Sequence, residues 1–179
     1  MAKVGNTGQI LVAYSTKYGS TREVAEAIAG TFRAAALPVY VQPAREVRTL
    51  EGYRAVVLGT ALRIGHWYKD TDGFLAQHRA ALGTLPVAVF ALGPTQGSPE
   101  DADWKACRAS FDQELATKAP WLEPVAAEMF GGRFDPAALR GLDRLLTLMP
   151  ASPLKGMPAT DARDFAAIQA WAESVATKL

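Results

Sequence analysis

Apolar runs alternate with helical stripes along the chain. "QILVAY" (9–14) reads as a buried strand, and residues 21–36 as a helix with Val24, Ile28 and Phe32 on one face, stopped by Leu37-Pro38. "VYVQ" (39–42) is a short second strand, and "RAVVLGT" (54–60) a third whose continuous apolar character suits burial on both faces. Residues 71–82 carry Phe74, His78 and Leu82 at helical spacing before a fourth strand, "PVAVFAL" (86–92). After the breaker-rich "GPTQGSPED" (93–101), Ser98 is the expected helix cap, with Pro99 at the first helical position and Asp101 three residues past the cap. Trp104, Cys107, Phe111 and Leu115 form the stripe of that helix, which stops before Pro120, and "PVAAEMF" (124–130) is a fifth strand. Residues 136–149 predict an amphipathic helix with Leu139, Leu142, Leu146 and Met149 inward and Arg140, Asp143, Arg144 and Thr147 outward. The link "PASPLKGMP" precedes a last helix from about Asp161, with Phe165, Ile168, Ala172 and Val175 on its inner side. Such alternation predicts an open, mostly parallel α/β sheet with helices on both faces. Ligands of these sheets bind beyond the carboxyl ends of the strands, where strand order reverses. The loops after strands one, three, four and five are therefore the ones to examine.

Composition narrows the function classes. The 179 residues are 49% hydrophobic and 21% charged, with no repeat, low-complexity tract or linker, so one domain over 1–179 is expected. A net charge of +1 gives no electrostatic case for nucleic acid and no acidic surface for docking on basic partners. One cysteine, Cys107, excludes a disulfide within the chain. "MAKVGNTGQI" has no apolar core of a secretory signal, and no stretch approaches the roughly 20 apolar residues of a transmembrane helix. A cytoplasmic location is expected, with peripheral membrane contact left open.

Candidate chemistry concentrates after strand one, in Ser15-Thr16-Lys17-Tyr18-Gly19-Ser20-Thr21. A helix N-terminus offers unpaired N–H groups and partial positive charge, hydroxyls add hydrogen bonds, and a glycine lets the backbone turn or come close to a ligand. The segment suits a phosphate, yet it is neither G-x-x-x-x-G-K-[ST] nor G-x-G-x-x-G. Ser20-x-x-Glu23 equally fits a plain capping box. The stretch Tyr14-x-Thr16-x-x-Gly19-x-Thr21-x-x-x-Ala25-x-x-Ile28 resembles the flavodoxin signature, with Ala13 where a larger apolar residue is usual. This resemblance implies a flavodoxin-like five-stranded parallel sheet of order 2-1-3-4-5 and FMN as cofactor, its phosphate held by residues 15–21.

The loop after strand three, "GTALRIGHWYKD" (59–70), would border the flavin ring: Thr60, Ala61, Leu62, Arg63, Gly65, His66 and Trp67 are the candidate contacts. Trp67 and Tyr68 could cover a ring face, and Arg63 could offset charge on a reduced flavin or hold an acidic substrate. "G-x-x-x-R-x-G-H-aromatic", followed by Phe74-Leu75-x-x-His78-x-x-x-Leu82 and Pro86, resembles the bacterial flavodoxin-type, menaquinone-dependent protoporphyrinogen oxidase family. The basic, tyrosine-rich insertion of that family near strand five is lacking here. Bland readings stand beside these: Arg63 and His66 as an exposed polar loop, Trp67 as core cover, His78 as structural, Cys107 as an inert buried thiol. Gly93, Pro94, Thr95 and Gly97 would wrap the far side of the ring, or form an ordinary turn. Gly131, Gly132 and Arg133 could reach the same mouth. No metal spacing and no catalytic side chain is identified. The resemblance implies an FMN oxidoreductase of the protoporphyrinogen type, passing electrons to a quinone or a redox partner. The alternative is an electron carrier with no substrate of its own.

Overall fold

A computed structural model of the chain describes residues 8–63, 65–149, 152 and 156–179, the side chains of 146–148 excepted. Residues 1–7, Leu146, Thr147 and part of the 150–158 link, on which some sequence expectations fall, lie outside the described set. Five strands, β1 (Gln9–Tyr14), β2 (Val39–Pro43), β3 (Tyr53–Ala61), β4 (Val87–Leu92) and β5 (Ala126–Phe130), form a sheet of order β2-β1-β3-β4-β5. All four neighbouring pairs are parallel, and Tyr14 stands opposite both Pro43 and Gly59 at the carboxyl end. The reversal of strand order between β1 and β3 opens a crevice there, as the alternation of the sequence implies.

Each strand sends alternate residues to opposite faces. Leu11, Val56, Leu58 and Val89 meet Phe74, Leu75 and Leu82 of α2 (Lys69–Leu82) and Trp104 and Phe111 of α3 (Ala102–Lys118). Ile10, Val12, Val57 and Phe90 meet Val24, Ile28 and Phe32 of α1 (Ser20–Ala34) and Ile168, Ala172 and Val175 of α5 (Phe165–Ala176). Gly59 is required inside β3, because a Cβ there would stand 2.2 Å from the Phe90 ring. A two-stranded antiparallel pair, β6 (Arg133–Phe134) with β7 (Thr160–Asp161), lies beside the sheet, and α4 (Gly141–Leu148) falls between the two in the chain.

Four expectations are corrected. Helix α3 starts at Ala102 rather than after Ser98. Asp101 accepts the Ser98 N–H at 2.7 Å and closes a turn before the helix. In the last helix Asp164 is the cap, accepting from the N–H groups of Ala166 and Ala167, so Phe165 falls outside the stripe and is exposed under Arg163. The predicted helix 136–149 is a 3₁₀ turn (Pro136–Ala138) followed by α4. Finally, α4 departs in part from its expected stripe: Asp143 is buried while Leu142 and Met149 are exposed, with Leu139 buried and Arg140 and Arg144 exposed as expected.

Candidate functional site

The turn between β1 and α1 is built around Gly19, whose φ of 90° is reached cheaply only without a Cβ. Gly19 is the N-cap residue, with its own N–H on Thr16 Oγ1 at 3.0 Å, and no side chain caps the helix. The capping-box reading of Ser20 therefore fails: Ser20 is already helical, and the Glu23 carboxylate is occupied by Arg133 and Arg163. Among the described residues, the first N–H groups of α1, those of Ser20, Thr21 and Arg22, have no backbone acceptor. The Thr21 hydroxyl is buried and has no hydrogen-bond partner among them. Buried polar groups are almost always satisfied. An orphan hydroxyl beside open helix N–H groups therefore fits the phosphate that the sequence led one to expect here. Ser15 behaves differently. Its side chain is turned inward, 2.9 Å from Thr71 Oγ1, which lies 2.9 Å from Thr60 Oγ1. That hydroxyl cluster ties β1, β3 and α2 together below the crevice, and Thr71 carried no signal in the sequence.

The loop after β3 turns tightly. Arg63 and His66 exchange backbone hydrogen bonds of 2.7 and 3.1 Å, with Gly65 at φ 77° between them. The turn parts the predicted residues into two groups. His66 and Trp67 are engaged with α3: His66 Nδ1 lies 3.0 Å from Glu114 Oε1, and the Trp67 N–H donates to Glu114 Oε2. Burial pushes the Glu114 carboxyl up, but hydrogen bonds from His66, Lys118 and the Trp67 N–H outweigh it and hold it below the usual carboxylate range. Trp67 is only 4% exposed, its indole N–H donates to Asp72, and Lys118 Nζ stands over its ring at 5.7 Å. Core cover, not a ring-stacking face, is the role this position gives Trp67. His78 is likewise structural, buried against Phe74 with Nε2 3.3 Å from the Val47 carbonyl oxygen.

Arg63 goes the other way, toward the loop after β1, and meets there a residue that the sequence placed on the solvent side of a helix. Asp143 Oδ1 accepts from Arg63 Nη2 at 3.0 Å. Asp143 Oδ2 lies 2.6 Å from Lys17 Nζ and accepts the Tyr18 hydroxyl. Hydrogen bonds from Lys17 above all, then Tyr18, hold the Asp143 carboxyl far below the usual range. Tyr68 is half-buried close to this cluster, its hydroxyl pushed up by burial and acted on by the charges of Arg63 and Lys17. It is Tyr68 rather than Trp67 that brings an aromatic ring to the mouth.

The loop after β4 is stitched to the loop after β5. The Gly93 N–H donates to the Phe130 carbonyl at 2.8 Å, and the Gly132 N–H to the Pro94 carbonyl at 2.7 Å. The Gly93 N–H is thus spent inside the protein, whereas those of Thr95, Gln96 and Gly97 have no backbone acceptor among the described residues. Gly97 turns at φ 84°. Arg133 is directed to Glu23 and Asp135 rather than to the mouth. Among the described residues no cluster of metal-ligating side chains occurs, and no helix is long and apolar enough to cross a membrane.

Comparison with known proteins agrees with this geometry. Escherichia coli (strain K12) protoporphyrinogen IX dehydrogenase [quinone] is similar over 138 residues at 27% identity, covering 76% of this chain and 75% of that protein. Oxidised flavodoxin 2 from Bacillus cereus has a TM-score of 0.56 at 19% identity, covering 96% of this chain and 99% of that one. The flavodoxin of Streptococcus pneumonia TIGR4 has a TM-score of 0.54 at 15% identity, covering 96% and 99%. These likenesses show the shared fold. The flavodoxin domain family model matches residues 11–161 and implies FMN as the bound cofactor, which the orphan Thr21 hydroxyl fits. With strand order 2-1-3-4-5, a hydroxyl-rich turn at the switch point and most of its length matched, the chain belongs to the flavodoxin domain family.

Proposed function

We propose that this chain is an FMN-dependent oxidoreductase of the protoporphyrinogen-dehydrogenase type, delivering electrons to a quinone. The observation that carries the reading is the pairing of a cofactor turn with a basic mouth: Lys17 and Arg63 converge beside the turn that ends in the uncapped helix α1. The named activity of the Escherichia coli relative, with which 138 residues align, supports it. Bound FMN would supply hydride or electron transfer at its reactive edge. The residues of this chain bind and orient. Thr21 and the first N–H groups of α1 hold the phosphate, with Thr16 fixing the Gly19 turn. The N–H groups of Thr95 to Gly97, without a backbone acceptor among the described residues, would serve the ring from the β4 side, and Tyr68 and the Arg63 turn would border it from the β3 side.

The visible spectrum of the purified protein and release of its cofactor test the flavin. Turnover of protoporphyrinogen IX with a menaquinone acceptor tests the activity, and absence of turnover by FMN-loaded protein would refute it. A second reading, an electron carrier without its own substrate, is favoured by the coverage of 96% of the chain by flavodoxins. It predicts no turnover until a reductase is added.

A further inference from the structure

Asp143 is an unusual resident of the mouth. It is the only buried side chain of α4 among the described residues. Its side chain is 9% exposed, whereas Lys17 and Arg63, which bind it, are 43% and 48% exposed. Lys17, Tyr18 and Arg63 all bond to its carboxylate from the open side of the fold's mouth. Without it, two cations and a phenol hydroxyl would face one another across an open crevice, a charge arrangement that attracts an anion. Helix α4 starts at Gly141, whose φ is 57°, and presents Leu142, Leu145 and Met149 outward. Half-exposed cations regain water readily when their partner leaves.

We propose that Lys17, Tyr18 and Arg63 form a receptor for a carboxylate group of the substrate, and that Asp143 is a tethered carboxylate that fills it until the substrate displaces it. The proposal rests on the oxidoreductase reading above and adds how the substrate is held: a carboxylate of it is received by Lys17, Tyr18 and Arg63 in place of Asp143. A tethered group competes at the effective concentration set by its attachment, in the millimolar range for short flexible links. A free carboxylate succeeds where the rest of its molecule contributes binding of its own, through ring contact at the mouth. Acid and aromatic recognition are then coupled, and simple anions are turned away.

The test compares protoporphyrin IX, which carries two carboxylates, with its dimethyl ester, which carries none. Both are titrated into FMN-loaded wild-type protein and the Asp143→Ala and Asp143→Asn variants, with binding read by tryptophan fluorescence and flavin absorbance. The acid is expected to bind the wild type more tightly than the ester. Removing the tethered charge should tighten the acid by about five- to tenfold, a usual size for coupling between ligands, and leave the ester unchanged. Adding Arg63→Ala to Asp143→Ala should abolish that gain. Equal binding of acid and ester, no binding of either, or no response to both Asp143 variants would overturn the proposal and leave Asp143 as a fastening of α4. Tighter FMN retention in Asp143→Ala without a gain for the acid would assign the receptor to the cofactor phosphate, and would also overturn it. FMN content, read from the visible spectra of the same samples, reports separately on the flavin reading.

Discussion

A buried hydroxyl left without a partner costs about 1–3 kcal/mol, and Thr21 Oγ1 bears such a cost. Replacing Thr21 by Val keeps the shape and removes the orphan group. The expected outcome is FMN binding weakened about tenfold, one hydrogen bond's worth, with no loss of thermal stability in the cofactor-free protein. Fluorescence titration of FMN and a thermal melt check the two halves, and unchanged FMN affinity would refute the phosphate role. Asp143 is the opposite case, a polar group fully engaged. Its carboxyl is held below the ordinary value, so its pairing stabilises the fold above the unfolded-state pKa, about 3.9, and the contribution is lost as pH falls below it. Because Lys17 and Arg63 are half-exposed, Asp143→Asn should cost about 1 kcal/mol. That is a fall in Tm of about 2–4 °C for a chain of this size. The gap should be constant between pH 5 and 8 and should narrow below about pH 4.

Helix α4 carries the largest disagreement between periodicity and structure. Its spacing reads as a core helix with Leu142 and Met149 inward, yet Leu142 is 71% and Met149 49% exposed, beside Leu145 at 55%. The double change Leu142→Gln and Leu145→Gln should therefore alter stability by less than about 0.5 kcal/mol per site. A helix packed by those leucines would lose several times more. Equilibrium unfolding in urea separates the outcomes. Asp143 can face inward because three donors converge on its carboxylate, and no periodicity names those partners. Elsewhere the periodicity held: the stripes of α1, α2 and α5 face the sheet as spaced, with Phe165 alone displaced by the Asp164 cap. The loop after β3 is an element of its own kind, a turn closed by Arg63 and His66 with Gly65 left-handed. Gly65→Ala should cost about 1–2 kcal/mol, read as a lowered melting temperature and a loosened Arg63.

Taken whole, the molecule is a sheet whose switch point carries polar ties, the Ser15–Thr71–Thr60 hydroxyls and the Asp143 cluster. A ligand that binds only the folded chain stabilises it by mass action. FMN at about one hundred times its Kd should add about 2.7 kcal/mol and raise Tm by about 5–10 °C. An unmoved melting curve would contradict cofactor binding. The sequence by itself determined the sheet, most of the helix faces that cover it and the turn at Gly19. Strand alternation, stripe spacing and the Gly19 turn are local, and local sterics and hydrophobic burial act on neighbours in the chain. Only the tertiary structure decided which side chains meet at the mouth. It took Trp67 and His66 to α3, turned Ser15 toward Thr71, and brought Asp143 across more than 120 residues of chain to Lys17. The physical reason is that charge and hydrogen bonding act through space, and the partner that satisfies a buried polar group is fixed by the packing of distant elements rather than by the spacing of residues.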